Sequence, residues 1–258
     1  MGVRVEPSSK EAVAELIRDE ELDTQDPLRH LMDLEDGGIL KLSFSHDLAG
    51  VPRPLEITLA VDASPGCGGI AWPAGQILAT YLVQRGSDCL RKKNVLELGA
   101  GTGLVGLVAG HLPESRVWIT DQEPILPIMQ KNVQMNRLTE NVFVAKLDWC
   151  VVPAPPTFRF LDYFSGAFRR LFQYPNQDII LAADCVYFEP AFPLLVETLD
   201  ELSGTSTEIL FCYKKRRKAD KRFFNMLKKR FRWEEVMDDP NREFYNKEAI
   251  TLMRLFKR

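Results

Sequence analysis

The most constraining stretch of this 258-residue chain is Val95-Leu96-Glu97-Leu98-Gly99-Ala100-Gly101-Thr102-Gly103-Leu104-Val105-Gly106. A short apolar run ends in a turn almost without side chains, and a helical pattern starts at once. A buried strand feeding a helix in a layered α/β sheet is the arrangement such a sequence serves. Glycine lets the backbone take positive φ and lets a ligand come close. The helix start offers that ligand unpaired N–H groups. Gly101, Gly103 and Gly106 satisfy the G-x-G-x-x-G spacing, and Asp121 stands 20 residues beyond Gly101, at the end of the next expected strand. A carboxylate there can accept bonds from both hydroxyls of a ribose.

The rest of the chain alternates in the same way. Expected strands are Val95–Leu98, Val117–Thr120, Val142–Leu147, Ile179–Ala183 and Ile209–Tyr213. Between and after them lie helical patterns over 73–82, from Leu104, over Pro124–Met135, Phe192–Leu202 and Lys218–Phe231. Trp233–Val236 and Ala249–Phe256 read as a final antiparallel pair. This order predicts a mostly parallel sheet with helices on both faces. Upstream, Leu40, Leu42 and Phe44 alternate with polar residues, as do Leu55, Ile57 and Leu59. Two half-buried strands turning at Ala49-Gly50 account for them. Residues 151–177 read as an irregular, Pro- and aromatic-rich insertion with one short helix near Phe164–Phe172. Ser8 or Ser9 with Glu11 starts a short helical pattern through Ile17. The simplest division is an acidic arm and β extension over 1–65 and one catalytic domain over 66–258.

The glycine turn alone leaves the ligand open between a dinucleotide and another adenosine cofactor. Two features favour S-adenosylmethionine. After Lys93 the next cation is Arg116, so nothing beside the turn shares the charge of a pyrophosphate. Glu97 lies inside the strand, where a carboxylate suits an ammonium or sulfonium better than a diphosphate; its other reading is a structural anchor for backbone N–H groups.

These residues, Glu97 through Gly106, resemble the first motif of the class I S-adenosylmethionine-dependent methyltransferases, and more narrowly of the seven-β-strand protein-lysine methyltransferases. Trp72-Pro73-Ala74 resembles that family's upstream Trp. Ile119-Thr120-Asp121 resembles its ribose-binding strand end. Leu147-Asp148-Trp149 resembles its adenine-side segment, and Ala183-Asp184-Cys185-Val186-Tyr187 its Asp-x-x-Tyr motif. The run from Tyr213 to Lys221, with Phe223-Phe224-Asn225 after it, resembles the branch that modifies a lysine of translation elongation factor 1-alpha. The resemblance spans about residues 66–258. It implies a Rossmann-like class I fold with a seven-stranded sheet. It also implies a cofactor site of Trp72, Glu97, Gly99, Ala100, Gly101, Gly103, Asp121, Asp148, Trp149 and Ala183, with Asp184 and Tyr187 as the catalytic pair.

Chemistry gives the last two their roles. The lysine ammonium, with a pKa of about 10.4, must lose a proton before its nitrogen can accept a methyl group. Asp184, at the carboxyl end of a central strand, can accept an amine N–H and take the departing proton directly or through water. Tyr187, three residues on, can wall the alkyl-ammonium channel. Bland alternatives are an N-cap Asp and a core Tyr. An Asn or Asp followed by Pro-Pro and an aromatic, usual for methylation of exocyclic base amines, is absent.

The net charge of −3 hides an asymmetry: residues 213–258 carry 16 basic and 7 acidic side chains. The run from Lys214 to Arg222 could meet an acidic protein face or RNA; a solvated helix face is the blander reading. Five cysteines with no Cys-x-x-Cys pair, and isolated His30, His46 and His111, support neither a zinc site nor a disulfide framework. Free thiols, no signal-peptide pattern and no 18-residue apolar run point to a cytoplasmic protein away from membranes. A monomer is expected. Two rivals to a methyltransferase stand: an NAD-dependent oxidoreductase using the same turn, and a non-catalytic RNA-binding module using residues 214–232.

Overall fold

The computed structural model describes residues 38–44, 54–62, 67–149, 177–216, 218 and 220–258. The expected N-terminal helix, the turn at Ala49-Gly50 and the insertion over 151–176 lie outside them.

Seven strands form the main sheet: β3 (Asn94–Leu98), β4 (Arg116–Asp121), β5 (Val142–Lys146), β6 (Ile179–Ala183), β7 (Glu208–Lys214), β8 (Phe231–Glu235) and β9 (Ile250–Lys257). Their spatial order is β5-β4-β3-β6-β7-β9-β8. The first five run parallel; β9 is antiparallel to both β7 and β8. The chain moves outward from β3 to β5, then returns to β6 on the other side of β3. The β3–β6 junction is therefore the point where strand order reverses, and ligands of open α/β sheets sit at the carboxyl ends there.

Alternation along the strands builds two cores. Val95, Val117, Ile119, Ile179, Leu181 and Leu210 pack on one face with helices α1 (Pro73–Gln84), α2 (Leu104–His111) and α3 (Leu126–Met135). Leu96, Leu98, Trp118, Ile180, Phe211 and Leu255 pack on the other with α4 (Phe192–Leu202) and α5 (Asp220–Leu227). The near-continuous apolar strands are the mark of a sheet covered on both sides.

The upstream strands are β1 (Ile39–Phe44) and β2 (Leu55–Ala60), paired antiparallel. Phe44, Ile57 and Leu59 are buried in the same core as α1, α2 and α3. The free edge of β2 is closed by side chains rather than a strand. Thr58 donates its N–H to Asn136 Oδ1 (2.9 Å), and Asn136 Nδ2 donates to the Thr58 carbonyl (2.7 Å). Ala60 N–H reaches Asn132 Oδ1 (2.6 Å), and Asn132 Nδ2 returns a bond to the Ala60 carbonyl (3.1 Å). Residues four apart share a helix face, so the amides of Asn132 in α3 and of Asn136, which caps its C-terminus, copy the bonding of a neighbouring strand. Asn132 Nδ2 also reaches the Thr102 carbonyl at 2.9 Å, joining the hairpin to the glycine turn.

Three elements differ from expectation. Helix α5 spans Asp220–Leu227 rather than Lys218–Phe231, because Phe231 is fully buried as the first residue of β8, opposite Lys257. The helix expected from Pro124 begins with a 3-10 turn over Glu123–Ile125, and α3 starts at Leu126, with Pro127 in its first turn. A six-residue helix α6 (Arg242–Lys247) joins β8 to β9; it is too short to leave a periodic signal. Among the described residues, no helix is long and apolar enough to cross a membrane.

Candidate active site

A cavity of about 180 Å³ opens at the carboxyl ends of β3 and β6. Its floor is the glycine turn. Gly99, Gly101 and Gly103 all have positive φ (57°, 56° and 82°). At Gly101 a Cβ would come within 2.7 Å of the Gly68 carbonyl oxygen, so no larger residue fits between the turn and the segment above it. Ala100 donates its N–H to the Thr120 carbonyl (2.9 Å), which ties the turn to β4.

Two carboxylates hold this floor through backbone N–H groups. Asp121 Oδ2 accepts from Gly101 (2.8 Å) and Oδ1 from Gln122 (2.7 Å). A carboxylate has roughly four acceptor directions, so Asp121 keeps capacity for ligand hydroxyls. Desolvation by burial pushes its carboxyl above the usual range, against the pull of those N–H bonds. Glu97, almost wholly buried, accepts the Gly106 N–H at 2.7 Å. Burial pushes Glu97 up to about 8, opposed by the helix N–H groups. Both readings of Glu97 meet here: it anchors the start of α2, and it lines the cavity. Gly106 is what makes the anchor possible. A Cβ there would lie 2.1 Å from Ile119 Cγ2 and 2.7 Å from Glu97 Oε2.

The walls are aromatic. Trp72 precedes α1, and Trp149 follows β5 with its ring against Gly99, 2.8 Å from where a Cβ would stand. Trp149 Nε1 is buried with no hydrogen-bond partner among the described residues, so a ligand acceptor would satisfy it. Of the expected residues, Trp72, Glu97, Gly99, Ala100, Gly101, Asp121, Trp149, Ala183, Asp184 and Tyr187 line the cavity. Gly103 and Asp148 do not. Gly103 serves packing: a Cβ there would stand 2.9 Å from Ile119 Cδ1, between helix and sheet. At the strand end after β5 the cavity wall is made by Leu147 and Trp149, the residues on either side of Asp148.

The far wall holds an arrangement that the sequence did not signal. Asp184 has φ 57°, in the left-handed region that Asp tolerates better than most residues. It receives two guanidinium bonds, Arg216 Nη1 to Oδ1 (2.7 Å) and Nη2 to Oδ2 (3.1 Å), and the Lys214 N–H at 3.3 Å. The paired side chains are only 10% and 5% exposed. The guanidinium also lies over the Trp72 ring, 5.2 Å from its centroid. Arg216 is thus part of the cavity wall rather than of the outward basic face, where Lys215, Lys218, Lys221 and Arg222 remain exposed. Tyr187 and Phe188 stand 41% and 50% exposed just after Asp184.

This lining suits a cationic adenosine ligand. It offers the carboxyl groups of Glu97, Asp121 and Asp184, a backbone turn at a helix start and aromatic walls; its one basic side chain among the described residues, Arg216, is already paired. A diphosphate would find no cation to share its charge at the glycine turn.

Residues 53–230 match the profile of the lysine methyltransferase family. The chain belongs to that family. It is 38% identical to the protein-lysine N-methyltransferase EFM6 of Saccharomyces cerevisiae over 210 residues, covering 75% of this chain and 82% of the relative. It is 36% identical to the protein N-lysine methyltransferase METTL21A of Danio rerio, covering 72% of this chain and 78% of that one. To the mouse EEF1A lysine methyltransferase 3 it is 34% identical, covering 72% and 73%. Among solved structures, the Thermus thermophilus 16S rRNA N2 G1207 methyltransferase RsmC, in complex with AdoMet and guanosine, superposes with a TM-score of 0.55. At 18% identity, covering 85% of this chain and 51% of RsmC, the likeness supports the Rossmann-like fold alone. The lysine methyltransferase assignment replaces the oxidoreductase and RNA-module alternatives, and with it S-adenosylmethionine is the methyl donor.

Proposed function

We propose that this lysine methyltransferase modifies a lysine ε-amine of translation elongation factor 1-alpha in the cytoplasm. The target is supported by the mouse relative named for that substrate and by the run from Tyr213 to Lys221. The observation that supports the site reading is that Asp184 and Tyr187 line the same cavity as the glycine turn.

When bound, S-adenosylmethionine supplies an electrophilic methyl group on a sulfonium. Asp121 would hold the ribose hydroxyls, Trp149 would border the adenine, and the turn over Gly99–Gly101 with Glu97 beneath it would cradle the amino-acid part. The remaining work falls to the amine side. The lysine enters past the exposed Tyr187 and Phe188, whose rings cover its alkyl chain and exclude water. Asp184 accepts one amine N–H and so fixes where the nitrogen lone pair points; alignment of this kind is the main lever an enzyme has on a displacement. The nitrogen's proton leaves to water before transfer, because burial beside other cations disfavours the ammonium. With S-adenosylmethionine bound, the lone pair that Asp184 orients would accept the methyl carbon, the C–S electron pair staying on sulfur.

The test is incorporation of labelled methyl from S-adenosylmethionine into unmethylated recombinant elongation factor 1-alpha, with peptide mass spectrometry to assign the residue. Label on one or a few lysines is expected. Incorporation into other proteins of a cell extract, with none in this factor, would reject the proposed substrate.

A further inference from the structure

Arg216 belongs to a basic run, yet its guanidinium is folded inward. It forks onto both oxygens of Asp184 and lies over Trp72, while its backbone N–H is held by Asp220 Oδ2 at 3.1 Å, in the first turn of α5. Burying two charges costs several kcal/mol and is repaid only by good geometry. For a surface-anchored Arg the inward fold calls for a reason at the site.

We propose that Arg216 is a positioning residue that neutralises Asp184, so that the target lysine is held as a free amine rather than trapped as an ammonium. This rests on the lysine-methylation reading of the cavity. A bare carboxylate beside the incoming nitrogen would stabilise its charged, unreactive form; an opposite charge within a few ångströms moves an ionisation by about 1–3 pH units. Paired with Arg216, Asp184 presents little net charge to the amine. Of its roughly four acceptor directions, three are taken, by Arg216 Nη1, Arg216 Nη2 and the Lys214 N–H. One N–H of the lysine can still be accepted and oriented.

The other ionisable groups around the pair do not supply this function. Asp121 and Glu97 are already held by the backbone N–H groups of Gly101 and Gly106. Cys185, just after β6, and Cys212, on β7, are buried thiols beside Asp184 pushed well above their usual range by desolvation. Asp220 is engaged with the backbone of Arg216, Tyr187 is a rim phenol, and Lys214 meets Asp184 through its N–H. Among the described residues that line the cavity, the guanidinium of Arg216 is the only side-chain cation.

The experiment compares wild type, Arg216→Gln and Arg216→Lys on elongation factor 1-alpha between pH 6.5 and 10. Turnover is followed, and so are S-adenosylhomocysteine affinity and binding of the factor to the S-adenosylhomocysteine-bound protein. For Arg216→Gln the alkaline-rising limb of kcat should move up by about one pH unit or more. The rate should then be roughly tenfold lower near pH 7, where the free-amine fraction falls tenfold for each pH unit, and should recover near pH 10. Binding of the factor at pH 7 should stay equal or tighten, because the uncovered Asp184 can pair with the lysine ammonium. Arg216→Lys, which keeps the charge and loses the fork, should sit between the two. A uniform loss at every pH together with weaker binding of the factor would make Arg216 a scaffold residue and overturn the proposal; so would an unchanged pH profile. A wild-type protein that binds S-adenosylhomocysteine but methylates no lysine overturns the underlying reading instead, and the proposal with it.

Discussion

At the β3–β4 end of the cavity, Glu97 and Asp121 meet backbone N–H groups of Gly106, Gly101 and Gln122; at the β6–β7 end, Asp184 meets chiefly the side chain of Arg216, with the Lys214 N–H longer at 3.3 Å. A carboxylate held by backbone cannot move unless a strand or helix moves. One held by a long side chain can be released by a rotamer change. The first end is therefore a fixed seat, suited to a ligand that is the same in every turnover. The second is an adjustable wall, suited to a nitrogen that must arrive, lose a proton and leave methylated.

The largest effect is expected at the adjustable wall. Asp184→Ala should lower turnover at least a hundredfold, since the amine loses its acceptor and its alignment; about 2.7 kcal/mol of barrier corresponds to that factor. It should also cost about 3 kcal/mol of stability, because the mostly buried guanidinium of Arg216 loses its forked carboxylate partner. Adding Arg216→Met should restore most of the stability and none of the activity. Urea denaturation of the three proteins decides it: a double variant no more stable than the single one would show that the pair is not a unit.

Glu97→Gln probes the fixed seat without moving it. Glu97 is raised to about 8 in the folded protein and lies near 4.3 when unfolded. Between these values the folded state keeps a proton that the unfolded state gives up. The Glu97 contribution to stability is therefore full below about pH 4.3 and lost as pH rises through 8, by at most about 1.4 kcal/mol per unit. The Gln variant should lack this slope, so its stability relative to wild type should improve from pH 6 to pH 8. Equal slopes in both proteins would mean that Glu97 is ionised throughout.

The contrast between the two ends also explains what could be read in advance. The fixed seat is built from neighbours in sequence: a strand, a glycine turn, a helix start and an Asp 20 residues on. Its geometry follows from local rules about glycine, helix ends and strand alternation, so the turn, Asp121 and the two-faced sheet were legible. Asp184 was legible as a strand-end carboxylate, but its partner stands 32 residues away in a run that reads as solvated charge. Nothing periodic distinguishes Arg216 from its exposed neighbour Lys215. The amide pair Asn132 and Asn136 was hidden for the same reason: their partners Ala60 and Thr58 are 72 and 78 residues upstream. Gly103 and Asp148 show the converse. The motif pattern includes them, while the structure gives Gly103 to helix–sheet packing and forms the cavity wall from the neighbours of Asp148.

The division into a fixed seat and an adjustable wall is tested most directly by calorimetric titration of S-adenosylhomocysteine into wild type, Asp121→Ala and Arg216→Gln. Loss of two ligand hydroxyl bonds should weaken the Asp121 variant by about 1–3 kcal/mol, while the Arg216 variant stays within roughly threefold of wild type, a difference under about 0.7 kcal/mol. Equal weakening of both, or an unaltered Asp121 variant, would contradict the division.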